Sequence, residues 1–209
     1  MILVTGSTGY LGQAVMREFH RRQVSAWVLH QCDLRKPVTA ADVLSLRPDV
    51  VLHLAARVPK APADYHDRVA AMETVQMLTN ALVSFPEARF LLVSSHVAAD
   101  PASSAYATGK AMCELALRLI EDSGHLVVRL PGLFGLPRRS GTIYDAALRG
   151  EIADSYGPYP AMHVEDAAQH IVDLALSPAC AGPVRVRELS YPVGQLARRV
   201  AQFARELAS

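Results

Sequence analysis

Thr5-Gly6-Ser7-Thr8-Gly9-Tyr10-Leu11-Gly12 is the stretch that decides the fold. It follows the short apolar run Ile2-Leu3-Val4 and opens a helical pattern over residues 11–22. The three glycines are spaced G-x-x-G-x-x-G, and each has a physical task. Gly6 permits a tight turn out of a strand, Gly9 lets a ligand approach the backbone, and Gly12 lets helix and strand pack closely. The first turn of the helix offers unpaired N–H groups and a partial positive charge to an anion. Strand, glycine loop and helix in that order point to a pyrophosphate cradle for a dinucleotide. The competing reading is a structural turn, since any tight strand–helix connection favours glycine.

Outward from this loop, strand-length apolar runs alternate with helical patterns. The strands are expected at 2–5, 26–29, 50–54, 90–94 and 126–130, and the helices at 11–22, 40–46, 65–84 and 105–121. Several runs are apolar throughout, as strands covered on both faces are. The alternation predicts an α/β fold with a doubly wound parallel sheet. After Pro131 the texture changes. Gly132, Gly135, Pro137, Gly141, Gly150, Gly157, Pro158 and Pro160 mark loops around one helix at 143–148. A helix at 164–176, a strand at 184–186 and a last helix at 193–207 follow. The expectation is one domain over 1–209 with a small C-terminal appendage. Substrate-binding elements are placed mainly within 131–165 and 184–209.

Composition narrows the function. The chain has 209 residues, 51% hydrophobic and 20% charged, enough for one sizeable core. A formal net charge of +1 gives no bulk attraction to nucleic acid or to an anionic membrane. Cys32, Cys113 and Cys180 are scattered, with no metal-type spacing, which predicts a reducing, cytoplasmic setting and no metal site. No leader is expected ahead of the first strand, and no apolar run reaches the roughly 18 residues of a membrane span. A small molecule is the expected partner.

The chemistry is carried by Tyr106-Ala107-Thr108-Gly109-Lys110. On a helix, residues four apart share a face. Upstream, Ser94-Ser95 ends a buried strand, and strand C-termini line the ligand crevice of an open α/β sheet. Ser95, Tyr106 and Lys110 are therefore the candidate catalytic set. A phenol has an ordinary pKa of about 10, and a nearby ammonium is expected to lower it. Tyr106 then exchanges a proton with a carbonyl or alcohol oxygen, Ser95 donates a hydrogen bond to that oxygen, and Lys110 also holds the nicotinamide ribose.

Other residues are read with two meanings each. The end of the second strand lacks the acid that usually grips the ribose. His30 is either a ribose or 2′-phosphate contact or a loop histidine, while Asp33 and Leu34 can line the adenine. Arg57 either meets a substrate anion or is a solvated loop arginine. Arg138, with Arg139, either forks onto a phosphate or sits in a solvated turn. His53 reads as a core histidine and Cys113 as core packing. His163 with Glu165 and Asp166 reads as a helix start, because early acids complement the helix dipole.

Together these motifs resemble the short-chain dehydrogenase/reductase superfamily, in its extended branch, the NAD-dependent epimerase/dehydratase family. Thr5–Gly12 looks like that branch's T-G-x-x-G-x-x-G loop, and Leu54-Ala55-Ala56 like its strand end lying against the cofactor. Ser94-Ser95 and Tyr106/Lys110 fall on its catalytic serine, tyrosine and lysine, and Glu114 on a glutamate common beyond them. Residues 128–135 resemble its nicotinamide-side loop, and residues 162–168 the start of a late helix. The resemblance implies a Rossmann-type sheet and NAD or NADP as cofactor. It implies cofactor contacts from Gly6, Thr8, Gly9, Tyr10, Leu11, Gly12, Leu54, Ala55, Ala56, Tyr106, Lys110, Pro131 and Leu133. Substrate contacts are expected from Arg57, Ser95, His96 and Arg138, and a homodimer through exposed helices. Residues 46–51 and 154–160 are faintly similar to dTDP-4-dehydrorhamnose reductases. The chain departs from the family in its short length, in the trimmed stretch between Ser95 and Tyr106, in Ala70 where an asparagine is common, and in second and third strands nearly fused around 29–34.

The resulting expectation is an NAD(P)-dependent oxidoreductase that reduces a ketone or oxidises a secondary alcohol on a small molecule, such as a nucleotide sugar or natural-product intermediate. The alternatives are an epimerase or dehydratase that retains its cofactor, and a non-catalytic dinucleotide-sensing protein. His96 stands where a dehydratase would want an acidic pair.

Overall fold

The computed structural model describes residues 1–29, 32–38, 46–120, 124–136, 161–178, 182–191 and 195–208. Six parallel strands form the main sheet: β1 Ile2–Thr5, β2 Ala26–Val28, β3 Val50–His53, β4 Arg89–Ser95, β5 Leu126–Leu130 and β8 Arg185–Glu188. Their order is β2-β1-β3-β4-β5-β8. Strand β6, Gly132–Phe134, pairs in parallel with β7, Ala161–His163, as a separate two-stranded sheet. The helices are α1 Tyr10–Arg21, α2 Arg68–Ser84, α3 Ala105–Arg118, α4 Val164–Leu176 and α5 Gln195–Ala208.

The sheet is covered on both faces because its strands are apolar on both. Val4, Leu52, Leu91, Val93 and Val128 pack with Ala14 and Val15 of α1 and Ile171 of α4. Their neighbours Leu3, Val51, Phe90, Leu92 and Val127 pack the other way, with Leu78 and Ala81 of α2 and Leu117 of α3. This alternation is the two-residue period of a strand feeding two helical layers. The chain leaves β1 for β2 on one side and returns to β3 on the other. The sheet reverses its winding beside β1, where α/β folds open their ligand crevice. A third cluster, Phe134, Ala161, Leu196, Val200 and Phe203, seats α5 on the small sheet.

Several expectations are corrected. The helix expected over 65–84 is split. A 3-10 turn spans Pro62–His66, and α2 starts only after Asp67, whose carboxylate accepts the Ala70 N–H at 3.0 Å. The stretch after Pro131, whose glycines and prolines predict loops around one helix, contributes β6 and β7. Among the described residues no strand follows β2 before β3, and β2 is the edge strand of the sheet. The helices expected at 40–46 and 143–148 lie wholly or mostly outside the described residues, as do His30, Arg138, Arg139 and Cys180. Among the described residues no helix is long and apolar enough to cross a membrane.

Candidate active site

The glycine loop meets its expected geometry. Gly6 adopts φ +71°, and a Cβ there would lie 2.6 Å from the Ala55 nitrogen. A Cβ on Gly12 would lie 2.1 Å from the Gly6 carbonyl oxygen, so the start of α1 is drawn down onto the loop itself. A side chain at either position would break the cradle. Gly9 is the N-cap of α1. No side chain caps this helix, and no acid occupies its first turn. The helix end therefore keeps its N–H groups and positive pole for an anion. These residues fit a dinucleotide pyrophosphate, held by backbone from Gly9 to Gly12, with Thr8 exposed beside it.

The end of β3 lies against the same loop. The Leu54 N–H donates to the Thr5 carbonyl at 3.2 Å, and the Ala55 N–H reaches Thr5 Oγ1 at 3.4 Å. Leu54, Ala55 and Ala56 are half-buried there. On the other side, the Tyr10 hydroxyl donates to the Gly135 carbonyl at 2.8 Å. This bond ties the loop to the end of β6, with Pro131 buried and Leu133 half-buried at that strand.

Ser95 and Tyr106 come within hydrogen-bonding reach of each other, and Lys110 reaches β4 through the Val93 carbonyl. Ser95 ends β4, and Tyr106 and Lys110 sit one turn apart on α3. The Ser104 side chain starts this helix by accepting the Ala107 N–H at 3.1 Å. Hydrogen bonding from Ser95 to Tyr106 favours the phenolate, but burial outweighs it, and Tyr65 adds to the upward push. The phenol is thus held above its ordinary pKa. This reverses the expected depression by the ammonium. Lys110 is 5% exposed, donates to the Val93 carbonyl at 3.0 Å, and is itself pushed down by desolvation. The groups that shift the phenol are Tyr65, Ser95 and Cys113, and the Lys110 ammonium is not among them.

His53 lies behind Lys110. Its Nδ1 is 3.0 Å from Thr5 Oγ1, and burial, with the nearby Lys110 charge, holds its pKa at about 3. It is a neutral core histidine. His96 follows Ser95 and has a buried Nε2 with no hydrogen-bond partner among the described residues. An orphaned ring nitrogen next to the catalytic serine suits a ligand contact. Arg57, expected to meet substrate, instead pairs with Glu73 at 3.0 Å. Asp33 is gripped by Arg35 at 2.8 and 2.9 Å, and Leu34 is buried with its carbonyl accepting from Asn80. His163 caps α4, its Nδ1 accepting the Glu165 N–H at 3.3 Å, with Glu165 and Asp166 in the first turn. Among the described residues no cluster of His, Cys, Asp or Glu is arranged for a metal.

Two features of the site go beyond the sequence, which offers Glu114 only as a match to the family and gives Tyr65 no role. Glu114 is 3% exposed and accepts from Ser94 at 2.7 Å and from Arg129 at 2.9 and 2.8 Å, locking α3 to β4 and β5. The Tyr65 ring stands edge-on to Tyr106, with centroids 5.7 Å apart and planes at 87°. The signal for Tyr65 was the run Pro62-Ala63-Asp64-Tyr65-His66-Asp67, in which a proline and two capping acids mark a turn rather than a helix start.

With this geometry in place, similarity to known proteins carries further meaning. The model of the NAD dependent epimerase/dehydratase family matches residues 2–177. A curated relative, a ceramide reductase of Caulobacter vibrioides, is 28% identical over 205 residues, covering 85% of this chain. The chain spans only 62% of that relative's length. A Thermus thermophilus UDP-glucose 4-epimerase solved with NAD superposes with a TM-score of 0.69 at 18% identity, over 99% of this chain and 83% of its own. A dTDP-4-dehydrorhamnose reductase of Bacillus anthracis solved with NADP gives 0.66 at 14% identity, over 98% of this chain and 80% of its own. At such identities the structural likeness establishes the fold. The match of the family model to residues 2–177, most of the chain, establishes that this chain belongs to the NAD-dependent epimerase/dehydratase family.

Proposed function

We propose that this chain is an NAD(P)-dependent reductase of a ketone on a small molecule, with Tyr106 as its acid–base group. The observation that carries the reading is the meeting of Ser95, Tyr106 and Lys110 at the C-terminal edge of the sheet that also bears the glycine cradle. When bound, reduced nicotinamide supplies a hydride to the carbonyl carbon. Ser95 donates a hydrogen bond to the carbonyl oxygen and orients it. Tyr106 gives that oxygen its proton, yielding the alcohol. Lys110 holds the ribose with the donors that Val93 leaves free.

The ceramide reductase relative supports keto-reduction, and a carbonyl on an apolar chain is the first substrate class to try. Exposed Met72 on α2, Met112 and Leu115 on α3, and Leu119 just beyond α3 support a homodimer, which would sediment at twice the monomer mass. The Tyr106→Phe variant tests the mechanism. Its kcat should fall about 10²–10⁴-fold while dinucleotide affinity, followed by nicotinamide fluorescence, stays nearly unchanged. Retention of kcat would remove Tyr106 from the chemistry. Net consumption of dinucleotide in turnover separates this reading from an epimerase, which returns its hydride.

A further inference from the structure

We propose that Tyr65 is a positioning residue for the Tyr106 phenol, holding that ring edge-on and turning its hydroxyl toward Ser95. Tyr65 is fixed from both sides. The Asp64 carboxylate accepts the N–H groups of Lys60 at 2.8 Å and Ala61 at 2.9 Å, and Asp67 closes the turn by capping α2. The turn is thus anchored independently of α3, although it packs against that helix. The two rings meet at 5.7 Å and 87°, the edge-to-face arrangement that aromatic quadrupoles prefer. Tyr65 remains 41% exposed, and its hydroxyl has no hydrogen-bond partner among the described residues. What the residue contributes is therefore its ring, which covers one side of Tyr106 from water and limits how that phenol can rotate.

The same contact sets when the phenol ionises. The titratable groups acting on Tyr106 are Tyr65 from the turn and Cys113 from its own helix, both pushing it up, against hydrogen bonding from Ser95. Lys110 lies one turn along α3, with His53 behind it. His66, His96 and Asp100 stand on the short turns packed against α3, and Arg68 and Glu73 on α2. Removing the Tyr65 ring admits water to the phenol and lowers its pKa.

The inference rests on Tyr106 being the acid–base group, and two readouts keep the questions apart. In the full chain, Tyr65→Leu and Tyr65→Phe are compared by ultraviolet difference titration, each against the same protein carrying Tyr106→Phe. The Leu variant should ionise Tyr106 nearer its ordinary pKa of about 10, while the Phe variant, which keeps the covering ring and loses only the Tyr65 charge, shifts less. In turnover, Leu should lower kcat/KM for the ketone about tenfold with dinucleotide affinity intact, and Phe should rescue it. A Leu variant that titrates and turns over as wild type overturns the proposal. So does a Phe variant that loses as much as Leu, since the hydroxyl rather than the ring would then matter. If Tyr106→Phe proves fully active, the functional reading fails, and the titration still decides whether Tyr65 governs that phenol.

Discussion

Glu114 shows how a single residue holds the candidate site without touching substrate. It is a buried carboxylate bound by Ser94 and by the Nε and Nη2 of the Arg129 guanidinium, itself only 15% exposed. Removing the Glu114 charge leaves Arg129 only its pair with the half-exposed Glu188, at a cost of about 1–3 kcal/mol. Glu114→Gln should lower the urea midpoint by a corresponding amount with an unchanged m-value, and an unchanged midpoint would disprove the clamp. The Ser95, Tyr106 and Lys110 positions were legible because spacing on one helix and a strand end suffice to bring them together. The roles of Glu114 and Tyr65 were not, since both depend on partners 15 to 41 positions away in the chain. No local pattern reports such meetings.

At the scale of elements, the contact between α2 and α3 fixes where Lys110 stands. A Cβ on Gly109 would meet the Ala71 carbonyl oxygen at 3.0 Å and the Ala71 Cα at 3.1 Å, so the two helices approach through this glycine. Gly109→Val should force them apart, costing about 1–3 kcal/mol through overpacking. A thermal melt reads that cost, and kcat should drop with it because the displaced helix carries the catalytic pair. Val tolerated without loss of Tm would show that the helices have room. Long elements were legible because their apolar patterns run over many residues. The ends of elements and the three-residue strands β6 and β7 were not. Three residues hold barely one period of alternation, and glycine density around them reads as loop. Likewise the break at Asp67 interrupts a helical pattern through a side-chain cap, which outweighs periodicity.

For the whole molecule, the parallel order and the two covered faces followed from alternating strand and helix patterns, while the separate small sheet needed coordinates. The buried histidines make the fold acid-sensitive. His53 is held at about 3, and His125 and His163 are also pushed down by burial. In the unfolded chain each takes a proton near its ordinary value of about 6.5. As pH falls from there toward 3, the unfolded state binds protons that the native state refuses, so stability declines. Glu18, which Arg21 and Arg22 hold at about 2, adds a loss of the same sign further into acid. Urea midpoints should therefore fall steadily below about pH 6.5, and His53→Asn should flatten the upper part of that fall; a flat profile would contradict it. The central claim, that Tyr106 works beside a dinucleotide anchored by the glycine loop, is met most directly by a crystal structure with NADH or NADPH soaked in. The expected density places the pyrophosphate on the backbone of Gly9 to Gly12, a ribose on Lys110 and the nicotinamide ring facing the Tyr106 hydroxyl. A dinucleotide bound elsewhere, or one whose nicotinamide turns away from Tyr106, would contradict it.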